Sequence, residues 1–196
     1  DLRNNPGGLL SAAVGVTEQF ISSGKVVVSI KDRQGKRDEY RANAGDPLTD
    51  IPIVVLVNAG SASGSEILAG ALQDWGRAVV VGTQTFGKGS VQTILPLSDG
   101  SGLRLTTAKY FTPDDRSIHG IGITPSITVE ATPVLLHPVI ENAEGSESSS
   151  ATDRDADVEK TPEEREQELI DKDAQLQKAI EILKTWNVFK AITPQA

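Results

Sequence analysis

The 196-residue sequence contains no cysteine, no methionine and only two histidines. Without cysteine the chain can form neither disulfide bonds nor thiolate metal sites, a composition that fits either redox compartment. Two histidines, His119 and His137, are too few for a histidine-rich metal site. The sequence also lacks any apolar run long enough to span a bilayer. We therefore expect no metal site and no membrane span in this chain.

The absence of methionine also means that the sequence has no initiator residue. It opens on DLRNNPGG, which is the pattern of a strand that runs into a loop. We expect an internal or C-terminal piece of a longer protein, whose signal peptide or upstream domain would lie outside this sequence. The length suffices for one domain with a sizeable core, or for one domain with an appendage.

Positive charge is scarce in one segment only. Thirteen acids and four bases lie between Glu141 and Asp173, which gives this segment a net charge of −9. The whole chain has a net charge of −8, so the rest of it carries about +1. The acidity therefore says nothing about the charge of an active site. No basic patch with interleaved aromatic residues is present, so we do not expect nucleic-acid binding.

The first 130 residues alternate between strand and helix patterns. Two apolar runs, Ile51–Ala59 and Arg77–Gly82, are typical of buried strands, and a helical pattern at Ser65–Trp75 lies between them. This order predicts an α/β core. The other predicted elements are a helix at Leu9–Ile21, a strand at Lys25–Ile30 with a hairpin partner at Lys36–Ala42, and a hairpin of Ser90–Leu97 with Gly102–Thr112.

The C-terminal third has a different composition. Asn142–Lys160 is polar, charged and poor in apolar residues, which predicts a disordered linker. Thr161, Pro162 and Glu164 form the pattern of a capping box, and we expect a helix from there to about Trp186. Its apolar stripe should pack on the body or on a partner subunit, and comprises Leu169, Ile170, Leu176, Ile180 and Leu183. The predicted boundaries are 1–130 for the core, 131–160 for the linker and 161–196 for the helical segment.

The stretch GTQTFGKGS, at Gly82–Ser90, resembles a phosphate-binding loop. Gly89, however, stands where that pattern requires Ser or Thr. The segment after it has a strand pattern that ends at Pro96, whereas a helix N-terminus follows a true phosphate loop. Nucleotide binding is therefore not supported. Lys88 is either an exposed lysine in a glycine turn or has another task.

A second loop, NAGSASGSE at Asn58–Glu66, joins a predicted buried strand to a predicted helix. Enzymes often place a nucleophile at such a junction, where free backbone N–H groups can bind an oxyanion. The esterase pattern Gly-x-Ser-x-Gly is absent because the two glycines of the loop bracket Ala62. The loop can instead cap the helix through a serine. Three serines compete for these roles: Ser61, Ser63 and Ser65.

Four motifs occur in one order along the chain: DLRNNPGG, VNAGSASGSEILAGALQDWGRAVVVG, TFGKGSVQ and KYFTPDDRSIHGIGITPS. On these motifs, residues 1–130 resemble the catalytic domain of the carboxyl-terminal processing peptidases, also called tail-specific proteases. The resemblance implies a crotonase-like core of mixed sheet and helices. It also implies a serine–lysine site with Ser63 as nucleophile, Lys88 as base and Gln92 as the support of the lysine.

The resemblance also implies an oxyanion hole formed by backbone N–H groups. One donor would be Gly64, where the family usually has alanine, and the other would be Gly7 or Gly8. A glycine keeps the N–H group, so we expect the departure at residue 64 to be tolerated at some cost in loop rigidity.

A lysine side chain can act as a base only when it is neutral, and the ordinary lysine pKa of about 10.4 has to fall toward 7–8 for that role. Burial has this effect. We expect the glycines beside Lys88, together with Phe86, to let other parts of the chain cover it, and no acid lies in Arg77–Leu97. The strand period would place Gln92 on the same face, where its amide could orient the amine without stabilising the ammonium. Such acyl transfer requires no metal or cofactor.

His119 is the rival base, but it has no acid partner near it in sequence, and we expect a surface or packing histidine.

The resemblance further implies protein or peptide substrates with unstructured apolar C-termini, an upstream PDZ domain, a homo-oligomer and the option of an activator protein. The family usually acts outside the cytoplasm, which predicts the bacterial periplasm, the outer side of a membrane or a plastid lumen. The alternative is an inactive homologue that serves as an adaptor or scaffold.

Overall fold

A computed structural model of the chain describes residues 1–132 apart from 44 and 46, residue 161, and residues 170–192. The predicted linker at Asn142–Lys160 falls outside these residues, as do His137, Leu169 and most of the predicted capping box. The described elements, in chain order, are α1 (Leu10–Thr17), β1 (Val26–Asp32), β2 (Arg37–Arg41), β3 (Val54–Val57), α2 (Gly64–Asp74), β4 (Val79–Gly82), β5 (Ser90–Pro96), β6 (Gly102–Phe111), β7 (Ile127–Thr128) and α3 (Ala174–Ile192).

An antiparallel sheet of four strands has the order β2-β1-β6-β5. It contains both predicted hairpins, because β1 pairs with β2 and β5 pairs with β6. The pairing of β1 with β6 joins the hairpins, with Ile30 opposite Tyr110. The β5–β6 hairpin leaves several large apolar side chains exposed, including Ile94 and Leu105.

A parallel sheet of three strands has the order β3-β4-β7, and α2 connects its first two strands. Side chains on these strands alternate between two apolar clusters, as the strand period requires. Val55, Val57 and Val80 pack with α2 and β1, whereas Leu56 and Val81 pack with α3. The sheet is therefore covered on both faces, which agrees with the continuous apolar runs of β3 and β4. The sequence pattern did not reveal the two-residue strand β7.

Helix α3 packs on the parallel sheet through Leu176, Ala179 and Ile182. The single helix predicted from Thr161 is not continuous, because Asp173 is non-helical and begins a new helix. The Asp173 carboxylate accepts the amides of Gln175 and Leu176 at 3.1 and 3.0 Å, which caps α3. It also forms an ion pair of 2.7 Å with Arg3, so the helix is held to the start of the chain. No helix in the described residues is long and apolar enough to cross a membrane.

Candidate active site

Ser63 lies at the junction where β3 ends and α2 begins. It is the N-cap residue of α2, and its backbone has φ 55° and ψ −114°. A non-glycine residue at positive φ costs on the order of 1–3 kcal/mol and persists only where its surroundings hold it. A strained serine on a strand-to-helix turn is the arrangement that presents the nucleophile of other hydrolases. The local geometry at Ser63 is therefore suited to nucleophilic chemistry.

The two neighbouring serines have structural tasks. Ser61 is fully buried, and its hydroxyl donates to the Leu2 carbonyl at 2.7 Å. Ser65 is also buried, and its hydroxyl donates to the Asn5 carbonyl at 3.0 Å. Both bonds fasten the serine loop to the first residues of the chain. The Ser63 side chain takes part in the capping box of α2 as an acceptor, but its hydroxyl donates to no carbonyl of the described residues. Its proton is therefore the one of the three that remains available for chemistry.

The loop with Gly7 and Gly8 lies directly against Ser63. The backbone φ of Gly7 is 83°, and a Cβ at this position would lie 2.5 Å from the Gly64 nitrogen and 3.0 Å from Ser63 Cβ. A Cβ on Gly64 would lie 3.2 Å from the Gly8 nitrogen and 3.4 Å from Ala13 Cβ. The two glycine loops therefore touch through their backbones, and an alanine at residue 64 would have to push them slightly apart.

Two N–H groups beside Ser63 are free to bind an oxyanion. The Gly7 N–H is not one of them, because it donates to Asn5 Oδ1 at 2.9 Å. The N–H groups of Gly8 and Gly64 donate to no acceptor in the described part of the chain. Gly64 is the first residue of α2, where the amide has no partner within the helix. Of the two predicted alternatives for the second donor, the geometry favours Gly8.

The loop with Lys88 connects β4 to β5 and is packed by its glycines. The Gly87 φ is 88°, and its carbonyl accepts the Gly120 amide at 2.9 Å. A Cβ on Gly89 would lie only 2.4 Å from the His119 nitrogen. A serine or threonine cannot fit at residue 89 without moving that backbone. The strand β5 follows the loop directly, so the helix that a phosphate-binding loop requires is not present there.

The Glu66 side chain joins the serine loop to the lysine loop. The residue is fully buried, and its Oε2 accepts the backbone amides of Ser63 and Lys88 at 2.9 and 2.8 Å. Its Oε1 accepts the Gly87 amide at 2.7 Å and the Thr85 hydroxyl at 2.5 Å. All four groups that contact the Glu66 carboxylate are hydrogen-bond donors, as a buried carboxylate requires. One side chain therefore sets the position of both loops.

The predicted contact between the catalytic side chains is not formed in the described chain. Lys88 and Gln92 are exposed, and no hydrogen bond joins the Lys88 amine to Ser63 or Gln92 among the described residues. The predicted cover of Lys88 by other parts of the chain is also missing among the described residues, and 69% of the neighbouring Phe86 is exposed. Because β5 begins at Ser90, the strand period that would align Lys88 with Gln92 does not extend to the lysine.

His119, the rival base, is exposed, and its side chain makes no hydrogen bond in the described part of the chain. From the sequence alone, Glu66 has a favourable place in the first turn of a helix, where the helix dipole stabilises an acid. Ser63 and Glu66 nevertheless have the spacing of a capping box, Ser-x-x-Glu, which is the sequence signal for a side chain that reaches back to the N-cap amide. The role of Thr85 has no such signal, because it depends on contacts between distant segments.

Comparison with known proteins identifies relatives of this chain. The model of the family described as Peptidase family S41 matches residues 1–129. A carboxy-terminal-processing protease of Bartonella bacilliformis is 56% identical over 130 residues, which are 66% of this chain and 30% of that protein. The carboxyl-terminal-processing peptidase 3, chloroplastic, of Arabidopsis thaliana is 49% identical over 127 residues, or 65% of this chain and 24% of that protein.

A solved structure described as a photosystem II D1 C-terminal processing protease has a TM-score of 0.63 and 47% identity, and the match covers 66% of this chain and 33% of that one. The chain belongs to peptidase family S41, because the family match extends over most of its residues. This confirms the resemblance and the mixed α/β core that were predicted from the sequence. The chain spans about a quarter to a third of the length of these relatives.

Proposed function

We propose that the protein is a serine endopeptidase in which Ser63 is the nucleophile and Lys88 is the general base. The observation that carries the proposal is the position of Ser63, a strained N-cap residue directly before Gly64, where the Gly8 nitrogen lies 3.2 Å from the Cβ position of residue 64. Family membership supports the same chemistry, since the relatives are named as carboxyl-terminal-processing proteases.

In this mechanism, Ser63 Oγ attacks a peptide carbonyl carbon, and the neutral Lys88 amine takes the hydroxyl proton. The N–H groups of Gly8 and Gly64 stabilise the oxyanion of the tetrahedral intermediate, and a single donor of this kind is worth about 3–4 kcal/mol in other proteases. The lysine then gives the proton to the leaving amine. Water hydrolyses the acyl-enzyme, again with Lys88 as base. No step requires a metal or a cofactor.

The exposed Lys88 amine has to approach Ser63 and lose its water for this reaction. Catalytic contacts are often long in the absence of substrate and become shorter in the complex. Because the loop backbone is fixed by Glu66, only the flexible lysine side chain has to move. Bound substrate, together with parts of the protein beyond this chain, would then cover the amine. Gln92 would orient the amine through its neutral amide once Lys88 has moved.

The proposal includes the substrates and setting of this family. The substrates would be proteins with unstructured, apolar C-terminal tails, and an upstream PDZ domain would bind those tails. The protein would act outside the cytoplasm, in the bacterial periplasm, on the outer side of a membrane or in a plastid lumen. A homo-oligomer and control by an activator protein also belong to the proposal.

The test uses the full-length protein and its variants Ser63→Ala and Lys88→Ala, each incubated with an unstructured polypeptide that ends in apolar residues. Mass spectrometry follows the products and maps each cut. We expect cleavage by the parent alone. Cleavage that persists in both variants would overturn the assignment of the pair. An inactive parent that binds the polypeptide without cutting it, with or without a candidate activator, would favour the scaffold alternative.

A further inference from the structure

A groove of about 530 Å³ lies on the antiparallel sheet, where β1 ends against β6. Its cations are Lys31, Arg33 and Lys109, and the one carboxylate among the described residues that line it belongs to Asp32. The Asp32 Oδ1 atom is already engaged, because it accepts two backbone amides of the turn between β1 and β2 at 2.9 Å each. The groove therefore has an excess of positive charge.

Two of the three cations in this groove have no acidic partner. Lys31 forms an ion pair with Asp115, and its Nζ lies 4.4 Å from the centroid of the Phe111 ring. Arg33 and Lys109 are exposed and form no ion pair in the described part of the chain. Lys109 is also directly opposite Lys31 in the register of β1 and β6. Like charges at opposite positions destabilise a sheet, so an anion held in the groove would offset this repulsion.

The groove borders the lysine loop of the proposed active site. In the register of β5 and β6, Ser90 is opposite Lys109, and Gln92 is opposite Thr106, which also lines the groove. Opposite residues of an antiparallel pair have their side chains on the same face, with Cβ atoms about 5 Å apart. Ser90 comes two residues after Lys88, which adds at most about 7 Å along the chain. The Lys109 side chain therefore begins within roughly 12 Å of Lys88.

The lysine loop determines which part of a substrate the groove can reach. The leaving nitrogen has to face Lys88, the group that protonates it, so the peptide that follows the scissile bond starts beside this loop. Strand β6 is held against the same loop, because the Tyr110 amide donates to the Gly89 carbonyl at 2.8 Å. An extended peptide advances about 3.3 Å per residue. A group about two to four residues after the cut is therefore at the distance of Lys109.

We propose that this groove is a leaving-side carboxylate site, in which Lys109 and Arg33 bind a carboxylate of the substrate beyond the scissile bond. The inference rests on the proposed function, because it requires a peptide that is cut at Ser63. Two sources supply such a group: an acidic side chain, and the α-carboxylate at the end of the tail. Both present two oxygens, which ammonium and guanidinium groups bind through charge-assisted hydrogen bonds. The exposed Thr106 hydroxyl provides a further donor.

The test uses the full-length protein with Lys109→Gln, Lys109→Glu and the matched control Arg104→Gln. Arg104 is an exposed cation of the same strand, but it does not line the groove. One set of peptides, all amidated at the C-terminus, has aspartate or asparagine at each of the first four positions after a mapped cut site. A second set has no acidic side chain and ends one to four residues after the cut, either as the free acid or as the amide. The measured quantity is kcat/KM for each peptide, at low and at high salt.

We expect the parent to favour the carboxylate over its neutral counterpart by about threefold or more at one position or length. The preference should fall at high salt, because exposed charges are screened. It should disappear in Lys109→Gln, change to discrimination against the carboxylate in Lys109→Glu, and remain in Arg104→Gln. A preference for aspartate identifies an acidic side chain as the source of the carboxylate, whereas a preference for the free acid identifies the end of the tail.

Three results would overturn the carboxylate site alone, provided that cleavage still requires Ser63. They are the absence of a preference in both peptide sets, a preference that survives in Lys109→Glu, and an equal loss in Arg104→Gln. Cleavage in the parent that does not require Ser63 would overturn the proposed function, and the carboxylate site with it.

Discussion

The backbone amides of Ser63 and Lys88 donate to the same carboxylate oxygen of Glu66, at 2.9 and 2.8 Å. These two residues are 25 positions apart in the chain, yet one buried atom fixes the distance between their loops. The side chain that is proposed to accept the serine proton can therefore move while its backbone stays in place. With both loops held by Glu66, the Lys88 amine can stay apart from the Ser63 hydroxyl until substrate binds.

The Glu66 linkage predicts a loss of both stability and activity in Glu66→Gln. A glutamine replaces one acceptor oxygen with an NH2 group, so two of the four donors face another donor. We expect a fall of about 2–4 kcal/mol in the free energy of unfolding and a kcat/KM at least about 100-fold lower, because misplaced catalytic groups are costly. Urea unfolding and peptide cleavage measure the two effects.

The control for that variant is Glu18→Gln, since the Glu18 carboxylate accepts one amide among the described residues, that of Asn43, at the surface. Its effect on unfolding should stay below about 1 kcal/mol, with activity unchanged. Equal effects of the two substitutions would contradict the role given to Glu66.

The strained backbone of Ser63 predicts an unusual order of stability for two inactive variants. Ser63→Gly relieves the positive φ and keeps a residue that is acceptable at a helix N-cap, whereas Ser63→Ala keeps the strain and is a poor cap. We expect the glycine variant to be more stable than the alanine variant by about 1–2 kcal/mol, and neither to cleave peptides. Thermal and urea unfolding give the comparison. If alanine proved the more stable, the conformation described for Ser63 would be wrong.

The two glycines of the NPGG loop should differ sharply in their tolerance of alanine. A Cβ on Gly7 would lie 2.4 Å from the Ala62 carbonyl oxygen, and the residue has a φ of 83°, whereas a Cβ on Gly8 meets nothing within 4 Å. Gly7→Ala should therefore lower kcat/KM by about 100-fold or more, while Gly8→Ala keeps its N–H group and stays within a few-fold of the parent. Steady-state kinetics on one peptide distinguish the two variants, and similar losses at both positions would contradict the contact.

Much of the fold was predictable because its signals are local. The apolar runs that became β3 and β4, the helix between them and the two hairpins follow from periodicity and turn residues. Strand β7 has two residues, too few for a period, and the ion pair of Asp173 with Arg3 joins residues that are 170 positions apart. Features of this kind arise from tertiary contacts, which no sequence window contains.

The candidate site, like the fold, was predictable from the sequence only in part. Motif order identified Ser63 and Lys88, which stay predictions until they are tested, and capping chemistry could have identified Glu66. The choice between Gly7 and Gly8 required the structure, because it depends on whether the Asn5 side chain occupies one of the two amides. Other parts of the chain were expected to cover Lys88 beside its glycines and Phe86, but both Lys88 and Phe86 are exposed. A neighbouring aromatic residue in sequence does not ensure burial.

The packing of Gly89 predicts that restoring the phosphate-loop pattern does not restore its function. Gly89→Ser completes the sequence Gly-x-x-x-x-Gly-Lys-Ser, but its Cβ would lie 2.4 Å from the His119 nitrogen and 2.7 Å from the Ile118 carbonyl carbon. We expect this variant to be destabilised by about 1–3 kcal/mol and to gain no affinity for ATP. Thermal unfolding with and without Mg-ATP measures both, and a rise in melting temperature on adding nucleotide would revive the nucleotide-binding alternative.

Helix α3 should loosen from the body in acid, because Asp173 loses its charge. Partial burial raises the pKa of Asp173, but the Leu176 amide and the Arg3 guanidinium lower it by more, so it lies below the ordinary value of 3.8. A carboxyl group with a lowered pKa in the folded state stabilises that state above its ordinary pKa, and this contribution disappears as the pH falls through the lowered value.

Asp173→Asn keeps a capping side chain but not the ion pair, and should cost about 1 kcal/mol in the free energy of unfolding at pH 7. Urea midpoints of the parent and the variant should therefore converge as the pH is lowered from 5 toward 2, and in an Arg3→Gln background the difference at pH 7 should already be smaller. A difference that stays constant over this range would show that the ion pair does not hold α3.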